Sequence, residues 1–126
     1  MARLLIVDDE ADVLQLLNKL FSGLGYDVVV TQDGNEAIDL LREETSFDLM
    51  ISDVRMLPVN GLWLLSLVRE ECPEMPVIMV TAYYSKDKAE QALKMGAHSY
   101  IQKPFDIAAL TSAVTDALAK RADLDT

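Results

Sequence analysis

The chain has 126 residues and a formal net charge of −10, because 21 Asp and Glu outweigh 11 Lys and Arg. A surface this acidic repels phosphate and anionic lipid, which argues against direct binding of nucleic acid or of a membrane surface by this chain. The length and the 51% hydrophobic content suit one domain with one core, and the longest apolar runs have the length of strands, so no membrane span is expected.

Short apolar runs alternate five times with longer segments in which apolar residues recur every three to four positions. The short runs predict strands and the longer segments predict amphipathic helices. In chain order, we predict strands at 4–7, 28–30, 49–51, 77–80 and 99–101, alternating with helices over 13–24, 35–44, 61–71, 86–95 and 107–118. Gly25 and Gly96 stand where the first and fourth helices should stop.

This alternation predicts an α/β fold. The strands are almost continuously apolar, as expected for parallel strands that helices cover on both faces. Right-handed crossovers then give an open, doubly wound (βα)5 sheet, a sandwich of three layers. We assign residues 1–122 to this single domain and residues 123–126 to a C-terminal tail.

In such a sheet, ligands bind beyond the carboxyl ends of the strands, so the residues that follow each strand deserve inspection. Three acidic residues follow the first strand, one follows the third, a threonine follows the fourth and a lysine follows the fifth. These residues are Asp8, Asp9, Glu10, Asp53, Thr81 and Lys103. The prediction is that three aspartate carboxylates, a hydroxyl and an ammonium group converge on one edge.

Carboxylates placed this closely need a cation. At about 5 Å and an effective dielectric near 20, each like-charge pair costs roughly 3 kcal/mol. Lys103 offsets one charge, and an all-oxygen cluster with room for water suits Mg²⁺. Such a site supports phosphoryl transfer to a carboxylate, with the metal and the lysine neutralising the phosphoryl oxygens.

Each residue also has an ordinary structural interpretation when it is considered alone. The pair Asp8 and Asp9 can be a solvated turn, and Asp53 can be a helix cap. Lys103 can be a surface cation, and Thr81 can simply end a strand. Their joint placement at one sheet edge is what favours the functional interpretation.

Four short motifs extend this pattern, and they occur in order at the predicted strand ends. They are Val7-Asp8-Asp9-Glu10, Ser52-Asp53-Val54-Arg55-Met56, Val80-Thr81-Ala82 and Lys103-Pro104-Phe105. With these motifs the chain resembles the receiver domain of bacterial two-component response regulators, from Arg3 to about Ala119. The resemblance implies a flavodoxin-like, chemotaxis-regulator-like sheet with strand order 2-1-3-4-5.

The resemblance also implies a role for each matching residue. Asp53 would accept a phosphoryl group, with Mg²⁺ held by Asp8, Asp9, Asp53 and the backbone carbonyl of Arg55. The remaining roles are phosphoryl binding by Thr81, Ala82 and Lys103, a conformational switch through Thr81 and Tyr100, and a cis peptide bond before Pro104. We expect a phosphoacceptor and not an enzyme with turnover.

The resemblance further implies partners. The phosphoryl donor would be a sensor histidine kinase or a phosphotransfer protein, and the fourth helix, fifth strand and fifth helix would form a face for homodimerisation. The motifs also resemble those of receivers joined to transcriptional activators of the ATPase class. A single cysteine, Cys72, and the lack of a signal-like segment favour a cytoplasmic location.

Two other functions remain open from the sequence. A Mg²⁺-dependent phosphohydrolase with an aspartyl nucleophile shares this chemistry, but such enzymes have a D-x-D motif where this chain has Asp53-Val54-Arg55. A phosphorylation-independent interaction module is the other alternative. It is favoured by Leu57, which stands where the family usually has proline, with Pro58 one residue later.

Overall fold

A computed structural model describes residues 2–43, 47–54, 60–82 and 84–125, with side chains as far as residue 120. Five strands alternate with five helices. The strands are β1 (Arg3–Val7), β2 (Asp27–Thr31), β3 (Leu49–Asp53), β4 (Val77–Thr81) and β5 (Ser99–Gln102). The helices are α1 (Ala11–Gly23), α2 (Gly34–Glu43), α3 (Gly61–Glu71), α4 (Lys86–Lys94) and α5 (Ile107–Asp125).

The sheet is parallel throughout, and its strand order is β2-β1-β3-β4-β5. The predicted fold class and strand order are therefore confirmed. The register aligns the carboxyl ends of neighbouring strands, since Val7 pairs with both Thr31 and Ser52, and Thr81 pairs with Gln102. Residues that follow these strands consequently meet along one edge.

Alternate residues of each strand enter two separate apolar clusters, one on each face of the sheet. Leu4 and Ile6 pack with α1 and α5 residues that include Phe21 and Val114. On the opposite face, residues such as Leu5 pack with α2, α3 and α4. This two-sided burial explains why the strands are apolar along their whole length instead of alternating with polar residues.

Two glycines end helices as the sequence predicts. Gly25 and Gly96 have φ angles of 96° and 101°. This left-handed conformation is unfavourable for residues that have a Cβ atom, so it favours glycine. Gly96 also lies against the Arg69 side chain, so a Cβ atom there would meet Arg69 Cδ at 2.7 Å. These turns direct the chain back towards the amino ends of β2 and β5.

Helix α5 has 19 residues and buries one face, which includes Leu110, Val114 and Ala117. It continues to Asp125, so residues 123–125, which sequence analysis assigns to a tail, belong to the last helix. Within the described ranges, none of the helices combines the length and the apolar character needed to cross a membrane.

Candidate functional site

Four strands carry a polar side chain at the carboxyl edge of the sheet, and these are Asp8, Asp53, Thr81 and Lys103. Asp8 follows β1, and its N–H donates to the carbonyl oxygen of Thr31 at 3.2 Å, which continues the pairing of β1 with β2. Asp53 is the last residue of β3. Lys103 follows β5, and its N–H donates to the carbonyl oxygen of Thr81 at 2.7 Å. Backbone hydrogen bonds thus fix the positions of the Cα atoms from which these side chains extend.

Lys103 lies between two buried carboxylates. Its Nζ donates to Asp8 Oδ2 at 2.6 Å and to Asp53 Oδ2 at 3.2 Å. The three residues are only 9%, 3% and 6% exposed, respectively. Because so little water reaches this cluster, each charge there interacts more strongly than it would at the surface. Counting these three described residues alone, one ammonium group stands against two carboxylates, so their formal charges sum to −1.

The pKa of Lys103 reflects this competition. Burial alone would lower the pKa, since it disfavours the charged ammonium. The hydrogen bond and charge of Asp8, together with those of Asp53, outweigh burial and raise the pKa above its ordinary value. Lys103 is therefore a permanent cation at neutral pH.

A third carboxylate completes a possible metal site. One oxygen from each of Asp8, Asp9 and Asp53 lies within 4.8 Å of the others. Asp9 is exposed, so the cluster is accessible to water on that side. Oxygen ligands with access to water match the preference of Mg²⁺, which usually keeps several water ligands and binds one or two carboxylates. The donor set therefore fits Mg²⁺.

The N-terminus of α3 packs directly against the backbone of the buried Asp53. The N–H of Gly61 donates to the carbonyl oxygen of Val54 at 2.8 Å. A Cβ atom on Gly61 would lie 1.9 Å from the Asp53 carbonyl oxygen and 2.8 Å from Val54 Cα. Only glycine allows this approach, so α3 helps to determine where Asp53 lies.

An aromatic pair lies on β5 and the segment after β4. The rings of Tyr84 and Tyr100 are 5.6 Å apart and inclined at 58°. Among the described residues, the buried hydroxyl of Tyr100 has no hydrogen-bond partner. Burial raises the pKa of Tyr100, and the charges of Tyr84 and Asp53 raise it further. The Tyr100 phenol therefore remains neutral at physiological pH.

The structure brings Asp8, Asp9, Asp53 and Lys103 together at the predicted edge. Thr81 is fully buried at the end of β4, and the exposed Ala82 follows it. Asp53 pairs in register with Val80, so Thr81 lies one residue beyond Asp53 on the neighbouring strand. The Lys103–Pro104 peptide bond is cis. Arg55, Leu57 and Pro58 lie outside the described residues.

Sequence reasoning overlooked two contacts of this edge. Gln32 Nε2 donates to the carbonyl oxygen of Asp9 at 3.1 Å. Gln32 directly follows β2, and this position at the end of a strand is the same sequence signal that marks Asp8, Asp53 and Lys103. The packing of Tyr84 on Tyr100 left no signal in the sequence, because it depends on the path of the chain after β4.

Comparison with known proteins agrees with this geometry. The family model of the response regulator receiver domain matches residues 4–115. The chain therefore belongs to the response regulator receiver domain family, and it is a receiver domain of the two-component type. The predicted family resemblance is confirmed.

Two curated relatives are transcriptional regulatory proteins of Escherichia coli K12. ZraR is 37% identical over 122 residues and GlrR is 40% identical over 121 residues, which cover 97% and 96% of this chain. The chain spans only 27% of either relative's length. A receiver domain protein from Clostridium thermocellum matches in structure with a TM-score of 0.93 at 30% identity, covering 98% of this chain and 99% of that one.

The close packing of Gly61 leads to a stability prediction. In Gly61→Ala, the new methyl group must displace the Asp53 backbone, because carbonyl and Cα atoms occupy its position. We expect the free energy of unfolding to fall by about 1–3 kcal/mol or more, measured by urea denaturation.

Gly23 provides the matched control, since it ends α1 and a Cβ atom there meets nothing within 4 Å. We expect Gly23→Ala to be neutral or to stabilise the protein by up to about 1 kcal/mol. Equal stability changes in the two variants would contradict the packing argument for Gly61.

Proposed function

We propose that this receiver domain accepts a phosphoryl group on Asp53 in a Mg²⁺-dependent reaction and thereby switches a protein-interaction face. The observation that carries the proposal is the buried cluster in which Lys103 contacts both Asp8 and Asp53. It supplies a nucleophile, a fixed cation and a carboxylate pair for a metal in one place. We propose a phosphoacceptor role, with at most slow self-dephosphorylation, and no catalytic turnover.

The reaction that fits this cluster is an in-line displacement. A carboxylate oxygen of Asp53 forms a bond to phosphorus while the bond from phosphorus to the donor nitrogen of a phosphohistidine breaks, and the electron pair leaves with the imidazole. Asp8, Asp9 and Asp53 would hold Mg²⁺, with the carbonyl oxygen of Arg55 as the further ligand that we propose, and the bound ion would neutralise charge on the phosphoryl oxygens.

We assign three residues of this chain to bind the oxygens of the transferred phosphoryl group. Lys103 already contacts Asp53, so its ammonium is in place to neutralise a phosphoryl oxygen. The hydroxyl of Thr81 and the backbone N–H of Ala82, at the end of the neighbouring strand, are the hydrogen-bond donors that we assign to the remaining oxygens. All three belong to strand ends that the sheet already holds in register.

We assign the switch to Thr81 and Tyr100. Recruitment of the Thr81 hydroxyl by the phosphoryl group would change the space beside β5, where Tyr100 packs on Tyr84. The Tyr100 hydroxyl has no hydrogen-bond partner among the described residues. A move to a position where it forms a hydrogen bond would therefore lower the free energy of the protein. Phosphorylation would thereby shift a population between two states.

An apolar pocket beside the site suits a protein donor. Its volume is about 410 Å³, and it is lined by Val13, Leu16, Phe105 and Ile107 together with Lys103. Leu16 and Ile107 are each 48% exposed. Because Lys103 belongs to both the pocket and the acceptor cluster, a protein seated there brings its phosphohistidine close to Asp53. We therefore propose that a histidine kinase or phosphotransfer protein docks here.

The relatives suggest an output. ZraR and GlrR are transcriptional regulatory proteins of which this chain matches about a quarter, so we propose that the native protein controls a transcriptional output through an attached domain or a partner. The acidic charge of −10 makes DNA contact by this domain itself unfavourable. If the native gene encodes no further domain, and if deletion of the gene leaves transcription unchanged, this proposal is wrong.

The first functional prediction concerns the acceptor. Incubation with acetyl phosphate and Mg²⁺ should add one phosphoryl group that hydroxylamine removes, as mass spectrometry of the intact protein can measure. Asp53→Asn should remain unlabelled, because its amide is a poor nucleophile and cannot form an acyl phosphate.

Asp39→Asn is the matched control, since Asp39 is an exposed aspartate on α2. It should label like the wild type. Equal labelling of Asp53→Asn would refute the acceptor assignment, and continuous release of phosphate from small esters would favour a phosphohydrolase.

The second functional prediction concerns the donor. Leu16→Ala should leave labelling by acetyl phosphate unchanged but slow phosphotransfer from the cognate kinase at limiting receiver concentration about fivefold or more, because a protein donor loses an apolar contact. Its stability should change by less than about 0.5 kcal/mol, since Leu16 is half exposed.

Leu24→Ala is the control for docking. Leu24 is 57% exposed but follows the far end of α1, away from Lys103. Phosphotransfer to this variant should match that to the wild type. If Leu16→Ala accepts phosphoryl groups from the kinase at the wild-type rate, the docking surface is assigned wrongly.

The third functional prediction concerns self-association. We propose that phosphorylation favours a homodimer through the face formed by α4, β5 and α5. Strand β5 is at one edge of the sheet and carries Tyr100, the residue to which we assign the switch. Sedimentation velocity should show a larger species after acetyl phosphate treatment of the wild type but not of Asp53→Asn. An unchanged sedimentation coefficient for fully phosphorylated protein would refute the dimer.

A further inference from the structure

Gln32 connects the turn after β2 to the acidic turn after β1. Its side-chain Nε2 donates a hydrogen bond to the backbone carbonyl oxygen of Asp9 at 3.1 Å, across a separation of 23 residues. Asp9 is one of the three aspartates whose oxygens cluster at the sheet edge. The cluster itself consists of aspartate oxygens, and the contact that Gln32 makes is with the Asp9 backbone, so we argue its effect on a metal through Asp9.

The residues on both sides hold the backbone of Gln32 in place. Before it, Thr31 ends β2, is 4% exposed, and accepts a hydrogen bond on Oγ1 from the N–H of Asp33 at 3.2 Å. After it, Asp33 caps the N-terminus of α2, because its Oδ1 accepts from the N–H of Asn35 at 2.8 Å and its carbonyl oxygen accepts from the N–H of Ala37 at 3.0 Å. The Gln32 amide therefore extends from a rigid turn.

Asp8 and Asp9 differ in how they are held. Asp8 is buried, and its carboxylate accepts from Lys103 Nζ at 2.6 Å and from the N–H of Glu10 at 2.9 Å. Asp9 is exposed, so packing restricts it much less than Asp8. The Asp9 carbonyl and the Glu10 N–H belong to one peptide plane, so Gln32 holds on its oxygen side a plane that Asp8 holds on its nitrogen side.

We propose that Gln32 is a positioning residue for the metal site, because it anchors the turn that carries the Asp9 carboxylate. This inference rests on the proposed function, in which Asp8, Asp9 and Asp53 hold Mg²⁺. Residues that orient metal ligands contribute to affinity by reducing the ordering that binding requires. Since the bond is solvent-exposed, its loss should weaken Mg²⁺ binding by about threefold to tenfold.

The test uses Gln32→Met, which keeps the length of the side chain and removes the amide donor. Gln91→Met is the matched control, because Gln91 is an exposed glutamine on α4. Isothermal titration calorimetry with MgCl₂ at constant ionic strength gives the Kd of each variant. Thermal unfolding in EDTA gives stability without metal, and unfolding in MgCl₂ gives the stabilisation that the metal adds.

The proposal predicts a threefold to tenfold higher Kd for Mg²⁺ in Gln32→Met, a smaller gain in Tm from Mg²⁺, and an unchanged Tm in EDTA, with Gln91→Met equal to the wild type. An unchanged Kd would overturn it and leave Gln32 as an incidental surface contact. A Tm in EDTA that falls together with affinity would also overturn it, because the effect would then be on folding.

Asp9→Asn separates this inference from the function on which it rests. If the wild type binds no Mg²⁺, or if Asp9→Asn binds it as well as the wild type, the metal site itself is wrongly assigned. If Asp9→Asn weakens binding and Gln32→Met does not, the metal site stands and the positioning role of Gln32 fails.

Discussion

The structure of the candidate site depends on one ion cluster, in which a single lysine serves two buried carboxylates. Removing Asp8 and Asp53 from water is unfavourable, and Lys103 compensates through hydrogen bonds of 2.6 and 3.2 Å. Among the described residues of the cluster, the one positive charge of Lys103 stands against the carboxylates of Asp8, Asp53 and the nearby Asp9, so their formal charges sum to −2. The site therefore favours additional positive charge, which is why a divalent cation fits it.

The fold makes this arrangement possible by distributing the cluster over separate strands. Each strand is held by its neighbours through backbone hydrogen bonds, so the backbone segments that carry Asp8, Asp53 and Lys103 cannot move apart without disrupting the sheet. The two apolar clusters on the faces of the sheet stabilise it. Gly61 adds a steric constraint, because its contact with the Asp53 backbone leaves no room for a side chain.

Much of the fold could be predicted because its signals are local. The apolar runs 4–7 and 77–80 lie within β1 and β4, and the glycines at 25 and 96 end α1 and α4 with positive φ angles. The end of α5 was harder to predict, since its apolar positions fade beyond Leu118 while the helix continues to Asp125. Helix ends that carry no glycine or proline lack a local signal.

The sequence by itself determined the fold class, the family and the edge where Asp8, Asp53, Thr81 and Lys103 meet, because periodicity and strand-end position are properties of short segments. Only the tertiary structure decided which atoms touch. Lys103 and Asp8 are 95 residues apart, Lys103 and Asp53 are 50 apart, and Gln32 and Asp9 are 23 apart. Such contacts depend on strand register and on the path of each turn, and these follow from the packing of the whole sheet.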